Sequence, residues 1–400
     1  MDKRRTATAV IGAAWGDEGK GLLTDAFSTT STVVVRHNSG AQAGHTVQTD
    51  DGRRHVFHHF GSGTFKGATT YLSQFFVCNP IAFGAEKREL AEITNAPPVV
   101  YAHPDSLVTT PWDMMINQIV EEARGSARHG SCGMGFNETI QRSKHPEQTL
   151  TVRNIAQMAS IELCGYLERI RDDYVPVRLK ALGVTPSRTW QERLASPKNI
   201  SVFLDACADF LGAVGIAYGG KDSVFDASDN FVFEGAQGLL LDAERGAFPY
   251  VTNSRTGLTN IITLAREIGL DNLQVVHATR AYATRHGAGP FPREVAGLRY
   301  EDKTNVPNEW QGTLRFGEID TDLLAEVIRL DYKDQSLSGI EIKQRLAVTC
   351  MDQVGPSISF WQNAARKTVG HADFLDCLRQ QLGTQDIITS HGPTRSAISF

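Results

Sequence analysis

Cysteine is sparse. The six residues (Cys78, Cys132, Cys164, Cys207, Cys350 and Cys377) are scattered so widely that Cys350 and Cys377 form the nearest pair. That spacing excludes CxxC zinc knuckles and dithiol redox motifs, and unpaired cysteine suits a reducing cytoplasm. No apolar run approaches the roughly 18 residues needed to cross a bilayer, so a soluble protein with no membrane partner is expected. Positive charge is not in excess either. Forty Lys and Arg face 45 Asp and Glu, a formal net charge of −5, which provides no global field to attract nucleic acid. No internal repeat, low-complexity linker or GxSxG elbow is present. Lys3-Arg4-Arg5 before the apolar run Ala7–Trp15 has the outline of a secretory leader, but the run leads straight into a charged glycine loop without a cleavage boundary. A buried first strand is the expectation.

What is present is an ordinary globular composition, 41% hydrophobic and 21% charged, in 400 residues. At about 150 residues per domain the length allows two or three domains. The absence of a composition shift favours a single elaborated domain over 1–400, with inserted helical segments at about 110–215. Short β-rich runs alternate with amphipathic stretches. Strands are predicted at Thr6–Ile11, Thr32–Arg36, Val99–Ala102, Asn230–Phe233, Leu273–Ala278, Ala347–Thr349 and Asp386–Thr389. Helices are predicted at Leu22–Phe27, Trp112–Arg124, Ile155–Asp173, Val202–Val214, Thr259–Ile268 and Leu323–Leu330. Near-continuously apolar strands between helices predict an α/β fold: a large, mostly parallel central sheet with helices on both faces and a P-loop-like nucleotide-binding architecture. The proline-bearing stretch Asp173–Asn199 reads as an excursion from that core.

The first strand runs into Gly12-Ala-Ala-Trp-Gly16-Asp17-Glu18-Gly19-Lys20-Gly21 ahead of a helix. Strand, glycine loop, lysine, helix is the layout that offers backbone N–H groups and a helix N-terminus to phosphate. It departs from the standard P-loop, because six residues separate Gly12 from Gly19 and Gly21 stands where Ser or Thr would hold magnesium. A tight βα turn with solvated charges is the simpler alternative. Asp17 and Glu18 argue for more than that, since a carboxylate beside a bound phosphate repels it unless it holds a metal or moves a proton. After the second strand comes Arg36-His37-Asn38-Ser39-Gly40-Ala41-Gln42-Ala43-Gly44-His45-Thr46, whose small residues let His45 approach a ligand as a candidate acid. His55-Val-Phe-His58-His59 has the look of a metal cluster, but a half-exposed strand with solvated histidines is the reading adopted.

Trp15–Gly21 followed by Ala43-Gly44-His45-Thr46 resembles the opening signature of the adenylosuccinate synthetase family. The similarity continues, in order, through Phe233-Glu234-Gly235-Ala236-Gln237-Gly238 with Leu240-Leu241-Asp242, and Phe248-Pro249-Tyr250-Val251-Thr252. It then takes in Ala281-Tyr282 with Thr284-Arg285, Gly287 and Gly289–Pro292, and ends at Gly392-Pro393 and Arg395. The resemblance implies a magnesium-dependent ligase in which GTP phosphorylates the 6-oxygen of a purine nucleotide and the amine of L-aspartate displaces the phosphate. It implies Asp17 as the base that takes the ring N1 proton and as a metal ligand, His45 as donor to the transferring phosphoryl, and Lys20 with it in catalysis. Gly16, Glu18, Gly19, Lys20, Gly21, Gly44, His45 and Thr46 would contact GTP, with the Gly44 carbonyl a second magnesium ligand. The guanine would be read by Asp352, in Thr349-Cys350-Met351-Asp352, and lined by Gly392 and Pro393. Gln42, Ser131 or Cys132, Gln237, Leu241 and Thr252 would hold the acceptor nucleotide, with Arg142 as the nearest match to an arginine that the family supplies from a partner subunit of a homodimer.

The chain departs from the family pattern in three segments. Cys350 replaces a lysine near the guanine-reading aspartate, which leaves ATP as the alternative donor. Trp310–Gly317 carries only Arg315, with Thr313, where an arginine-rich aspartate-binding run is usual, and Gly312 falls where an arginine near the acceptor sugar is usual. Met134 and Asn137-Glu138-Thr139 replace a glycine-rich stretch. The default acceptor is IMP. A phage-type branch that attaches aspartate to dGMP, or a nucleotide-sensing paralogue without catalysis, are the alternatives.

Overall fold

The structure, a computed structural model, describes residues 5–125, 130–220, 222–302, 305, 313–333 and 339–400. Its frame is a ten-stranded sheet, in the order 398–399, 387–390, 341–349, 272–280, 6–12, 230–234, 32–36, 69–72, 100–102 and 214–216. Every neighbouring pair is parallel except the last strand, Ile398–Ser399, which turns back antiparallel along Ile387–Ser390. The strand Thr32–Arg36 is buried along its whole length, as its Val-Val-Val run requires of a strand covered on both faces. One apolar cluster packs Ile261, Ile262 and Leu264 of the helix Leu258–Ile268 against Phe231 and Phe233. A second joins Phe83, Trp112, Phe203 and Phe210 beneath the helices of residues 111–213, which stand between the strands Val100–Ala102 and Val214–Ile216.

All seven expected strands exist, with shifted ends, and three further ones complete the sheet: Thr69–Leu72, Val214–Ile216 and Ile398–Ser399. Four residues or fewer are too short to show a period, and Val214 follows so directly on the helix Lys198–Ala213 that the helical pattern absorbs it. The expected helix Ile155–Asp173 is corrected to several pieces. Val152–Gln157 stops at the extended residues Met158 and Ala159, and Ser160–Arg169 then passes into a π-helical turn, Ile170–Tyr174, before Val175–Ala181. Pro176 is the physical reason for the last break, because it cannot donate to a carbonyl four residues back and its ring crowds that turn.

The histidine-rich strand is also corrected. Arg54–Phe57 pairs with His45–Gln48 as a two-stranded ribbon, but His55 and His59 are buried, not solvated. Both lie beside the buried Glu86, at 3.7 and 3.5 Å, and Glu86 accepts the backbone N–H groups of His58 and His59 at 2.8 and 2.7 Å. No group of three or more His, Cys, Asp or Glu residues able to hold a metal occurs among the described residues, and no helix there is long and apolar enough to cross a membrane.

Arg142 is placed inside the helical layer, which corrects its expected role. Its guanidinium is fully buried, with Nε 2.9 Å from Asp113 Oδ1 and Nη2 2.9 Å from Asp113 Oδ2. The Val108 carbonyl accepts a further bond at 2.8 Å, and the Gln148 carbonyl another. A guanidinium engaged on all sides cannot reach a nucleotide held by a second subunit. Asp113 also closes the N-terminal cap of the helix Pro111–Arg124 through Thr110. Asp113→Ala would therefore leave Arg142 charged and unpaired in the interior and should cost about 3–5 kcal/mol. Urea unfolding of the variant measures this, and a loss under about 1 kcal/mol would show the pair to be dispensable.

Candidate active site

In a parallel sheet, ligands bind outside the carboxyl ends of the strands, and there six adjacent strands of this sheet deliver their loops. Thr6–Gly12 leads into the glycine loop, Thr32–Arg36 into residues 37–44, and Asn230–Glu234 into residues 235–238. Asn272–Arg280, Glu341–Thr349 and Ile387–Ser390 lead into the segments holding Tyr282, Asp352 and Gly392. Four of these loops contain a non-glycine residue at positive φ: Asp17 (63°), Ser39 (67°), Gln237 (64°) and Cys350 (60°). Such residues are disfavoured unless their surroundings hold them there, and their concentration on one edge marks a built site.

The loops interlock through backbone and amide groups. Asn38 and Ala236 exchange two hydrogen bonds, Nδ2 to the Ala236 carbonyl at 3.1 Å and Oδ1 from the Ala236 N–H at 2.9 Å. The Leu240 N–H donates to the Ala14 carbonyl at 2.9 Å, and the Thr252 N–H to the Leu241 carbonyl at 2.9 Å. Thr349 Oγ1 donates to the Glu18 carbonyl at 3.1 Å. Gly21 opens the helix Lys20–Phe27 where any Cβ would press on the Thr46 carbonyl, so the phosphate-loop helix and the His45 strand meet only because that side chain is missing.

Asp17 and Glu18 point opposite ways. Glu18 turns inward, nearly fully buried, and accepts the N–H groups of Ala14 (3.1 Å) and Gly16 (2.7 Å) on Oε1. Its Oε2 is 2.8 Å from Lys20 Nζ. Glu18 therefore shapes the loop and neutralises one bond's worth of Lys20, whose other two N–H donors remain for an anion. Asp17 lies partly exposed, with Oδ2 3.4 Å from His286 Nε2. Of the two carboxylates, Glu18 is thus committed to the loop, and Asp17 is the one left partly exposed.

His45 is buried, with Nδ1 2.7 Å from Glu234 Oε1. Glu234 also accepts the Ser62 N–H at 3.1 Å and the Ser62 hydroxyl, and Arg36 Nη1 stands 3.8 Å away. Burial alone would raise the Glu234 carboxyl, but His45, Arg36 and the Ser62 donors outweigh it and hold it well below the usual range. Burial pushes the His45 imidazole down, against the pull of Glu234. The pair is best described as an ionised Glu234 accepting from a neutral imidazole at Nδ1, which leaves Nε2 toward the site. The sequence reading passed over Glu234 and Arg36. Their signal is there: a lone charge at the end of an otherwise apolar, buried strand has to be paired.

The expected acceptor residues gather around the same edge. Gln42 Nε2 donates to Ser39 Oγ, Cys132 Sγ lies 3.9 Å from the Gln42 carbonyl, and Ser131 Oγ donates to Asn117 Oδ1 at 2.9 Å. Gly130 packs so closely on Gly287 that a Cβ would meet its Cα, which brings the residue 130–135 loop to the residue 286–290 loop. Asp352 is exposed at the end of its strand, and the Met351 N–H donates to the Ser390 carbonyl at 3.0 Å, drawing it toward Gly392 and Pro393. Arg395 Nε, 2.8 Å from the buried Asp25 Oδ2, ties that segment to the phosphate-loop helix. Arg315 sits opposite Arg285 in the ribbon Ala283–Arg285/Arg315–Gly317. Burial, and then Arg315, bring Arg285 down to about 10. Glu294 takes the Arg315 fork, with Nε to Oε1 at 3.0 Å, while Nη1 donates to the Gly289 carbonyl at 3.0 Å. Thr313 is exposed beside it, and Gly312 lies outside the described residues.

A parallel sheet whose carboxyl edge carries a phosphate loop, an outward carboxylate and a carboxylate-bound histidine defines a nucleotide-dependent group-transfer enzyme. The family model for adenylosuccinate synthetase matches residues 9–332. The adenylosuccinate synthetase of Methylococcus capsulatus is 31% identical over 345 residues, 83% of this chain and 74% of the relative. That of Koribacter versatilis is 26% identical over 436 residues, 99% and 95% of the two chains. Among solved structures, fully ligated adenylosuccinate synthetase from Plasmodium falciparum superposes with a TM-score of 0.69 at 16% identity, covering 98% of this chain and 99% of that one. Cyanophage S-2L succinoaminodeoxyadenylate synthetase, bound to dGMP and dATP as an energy donor, gives 0.62 at 16% identity, with 99% and 95% covered. The chain belongs to the adenylosuccinate synthetase family, ligases that form C–N bonds using GTP.

Glu234 gives the site its prediction. Glu234→Gln keeps an acceptor for His45 Nδ1 but removes the charge, and should lower kcat about tenfold or more while KM for each substrate moves little. Steady-state kinetics check this, and a kcat within twofold of wild type would remove Glu234 from the machinery.

Proposed function

We propose that the chain joins L-aspartate to C6 of a 6-oxopurine nucleoside monophosphate, IMP by default, through a 6-phosphoryl intermediate formed with GTP. The observation that carries the reading is the division of labour between Asp17, outward and partly exposed, and the Glu234-bound His45. Binding a nucleotide needs neither a free carboxylate in a phosphate loop nor an imidazole with one nitrogen anchored. A ligase needs both.

Asp17 would take the ring N1 proton as the 6-oxygen attacks the γ-phosphorus and the bond to GDP breaks. His45 Nε2 would meet the transferring phosphoryl. An anion there adds to Glu234 in favouring the imidazolium, so the phosphoryl itself recruits the donor that stabilises it. The aspartate amine then attacks C6, inorganic phosphate departs, and the proton taken by Asp17 is released. Lys20 and the amides of Gly19 and Gly21 would hold the donor phosphates.

Asp17 and the carbonyl of the exposed Gly44 are hard oxygen donors, and their small number fits Mg2+, which keeps waters and phosphate oxygens as its remaining ligands. Bound there, it would supply charge neutralisation at the phosphates. Gln42, Ser131 or Cys132, Gln237, Leu241 and Thr252 would line the acceptor. Arg315, now forked by Glu294, would exchange that carboxylate for one of L-aspartate. With Arg142 committed to Asp113, a homodimer on the family plan would have to supply its arginine from elsewhere. The lone Arg315 in Trp310–Gly317 is the feature that favours the dGMP-accepting alternative.

Asp17→Asn keeps the shape of the base without its proton affinity. It should lower ligation about a hundredfold or more and leave nucleotide affinity nearly intact. Phosphate release measured with GTP or ATP, L-aspartate, and IMP or dGMP tests the reading and chooses the acceptor; turnover by the variant within a factor of a few would sink Asp17 as base.

Asp352, exposed at its strand end, would accept two N–H bonds from guanine. Asp352→Asn exchanges an acceptor for a donor and should raise KM for GTP about tenfold, with ATP little affected. Equal use of GTP and ATP by wild type, unchanged in the variant, would remove that assignment.

A further inference from the structure

Asp17 is held by a closed ring of side chains that contains a histidine with no role so far. Arg280 Nε donates to the Asp17 carbonyl, and Arg280 Nη2 lies 3.0 Å from Asp302 Oδ2. Asp302 in turn fixes Asn305, whose backbone N–H donates to Oδ1 at 2.9 Å and whose Nδ2 donates to Oδ2 at 2.8 Å. His286 Nε2 is 2.8 Å from Asn305 Oδ1 and 3.4 Å from Asp17 Oδ2, which returns the ring to its starting residue.

The donor–acceptor chemistry sets the direction of every link. An ionised carboxylate only accepts, so Asp302 takes the NH2 side of Asn305 and turns the amide oxygen toward the imidazole. The hydrogen of His286 is thereby placed on Nε2. It donates to Asn305, and the Asp17 carboxylate stands beside it at 3.4 Å, an electrostatic contact and not a hydrogen bond. Nδ1 is buried and has no hydrogen-bond partner among the described residues, so Asn305 is the ring's hydrogen-bond anchor. Arg285, the neighbour of His286 along the chain, turns its guanidinium instead to the carbonyls of Ala288, Pro290 and Tyr250. Both handles of Asp17, carbonyl and carboxylate, thus belong to one network, while its backbone sits at φ 63°, a conformation that needs outside support.

We propose that His286 is a positioning residue: its polar Nε2–H edge, anchored by Asn305 and Asp302, stands against the Asp17 carboxylate and keeps it in the orientation from which it meets the nucleotide. The proposal rests on the reading of Asp17 as base. An acceptor misplaced by a fraction of an ångström loses much of its proton-transfer rate without loss of substrate affinity, so the consequence is a fall in kcat and not a rise in KM.

The experiment compares His286→Phe, His286→Gln and Asn305→Leu by steady-state kinetics, with nucleotide affinity by calorimetry and thermal unfolding alongside. His286→Phe fills the space without a donor and should lower kcat about tenfold or more, with KM and Kd for both nucleotides within about threefold. His286→Gln places a neutral N–H at similar reach and should recover most of that loss, which a space-filling role would not allow. Asn305→Leu frees the ring while keeping it, and should lower kcat in the same direction even if His286→Phe does not fold. Wild-type kcat in His286→Phe or in Asn305→Leu, or a His286→Gln no better than His286→Phe, would overturn the proposal. Asp17→Asn separates the two claims: if it still turns over, the base reading fails; if it is dead while the His286 and Asn305 variants are normal, only the positioning role fails.

Discussion

Glu234 stands between two strands that never touch each other, level with Val10 on one side and Arg36 on the other. Burying its charge costs several kcal/mol unless partners replace the water that is lost. Those partners, Arg36, Ser62 and His45, come from three separate segments, so satisfying one carboxylate fixes the end of the central sheet, the turn after the histidine ribbon and the imidazole itself. Break that pairing and Arg36, fully buried, becomes the uncompensated charge. The electrostatic requirement of the core and the orientation of the His45 imidazole are the same interaction.

The glycine loop solves the complementary problem of keeping negative charge close to a phosphate site. Glu18 spends both oxygens on the loop's own N–H groups and on Lys20, whereas the left-handed turn at Asp17 throws the next carboxylate outward. One acid builds the loop; its neighbour is left to act. The same logic applies to Arg315 and Arg285, two guanidiniums placed opposite one another where like charges are unfavourable. Backbone carbonyls accept from both guanidiniums, and Glu294 offsets the charge of Arg315.

What the sequence discloses follows the range of the interactions. Thr32–Arg36 and the glycine loop are legible because strand periodicity and turn chemistry are local, and the order of strands and loops is enough to expect a parallel sheet with its site at one edge. Arg142 is misread because its partner Asp113 lies 29 positions away and no local pattern announces a buried ion pair. The histidines at 55 and 59 read as solvated for the same reason, since Glu86 lies far along the chain, on the helix Pro80–Ile93. His45 with Glu234, at a separation of 189, and the ring around Asp17 are products of topology alone. Lone charges inside apolar strands are the one local trace such contacts leave, and Arg36 and Glu234 both show it.

The distances within the edge bear on how firmly its loops hold one another. Phosphoryl transfer asks little covalent chemistry of a protein and much positioning. Here the loop that carries Asp17 and the loop that carries His45 are joined: Asn38 locks the second to residues 235–238, and residues 238–240 lock those to Ala14 in the first. The loop of residues 130–135 reaches the same edge through the close contact of Gly130 with Gly287, next to His286, and of Cys132 with the Gln42 carbonyl. Asp17, His45 and residues 130–135 are therefore placed by one interlocked set of strand ends. Arg315, partly exposed, adds to that set, since it is forked by Glu294 and donates to the carbonyls of Gly287 and Gly289.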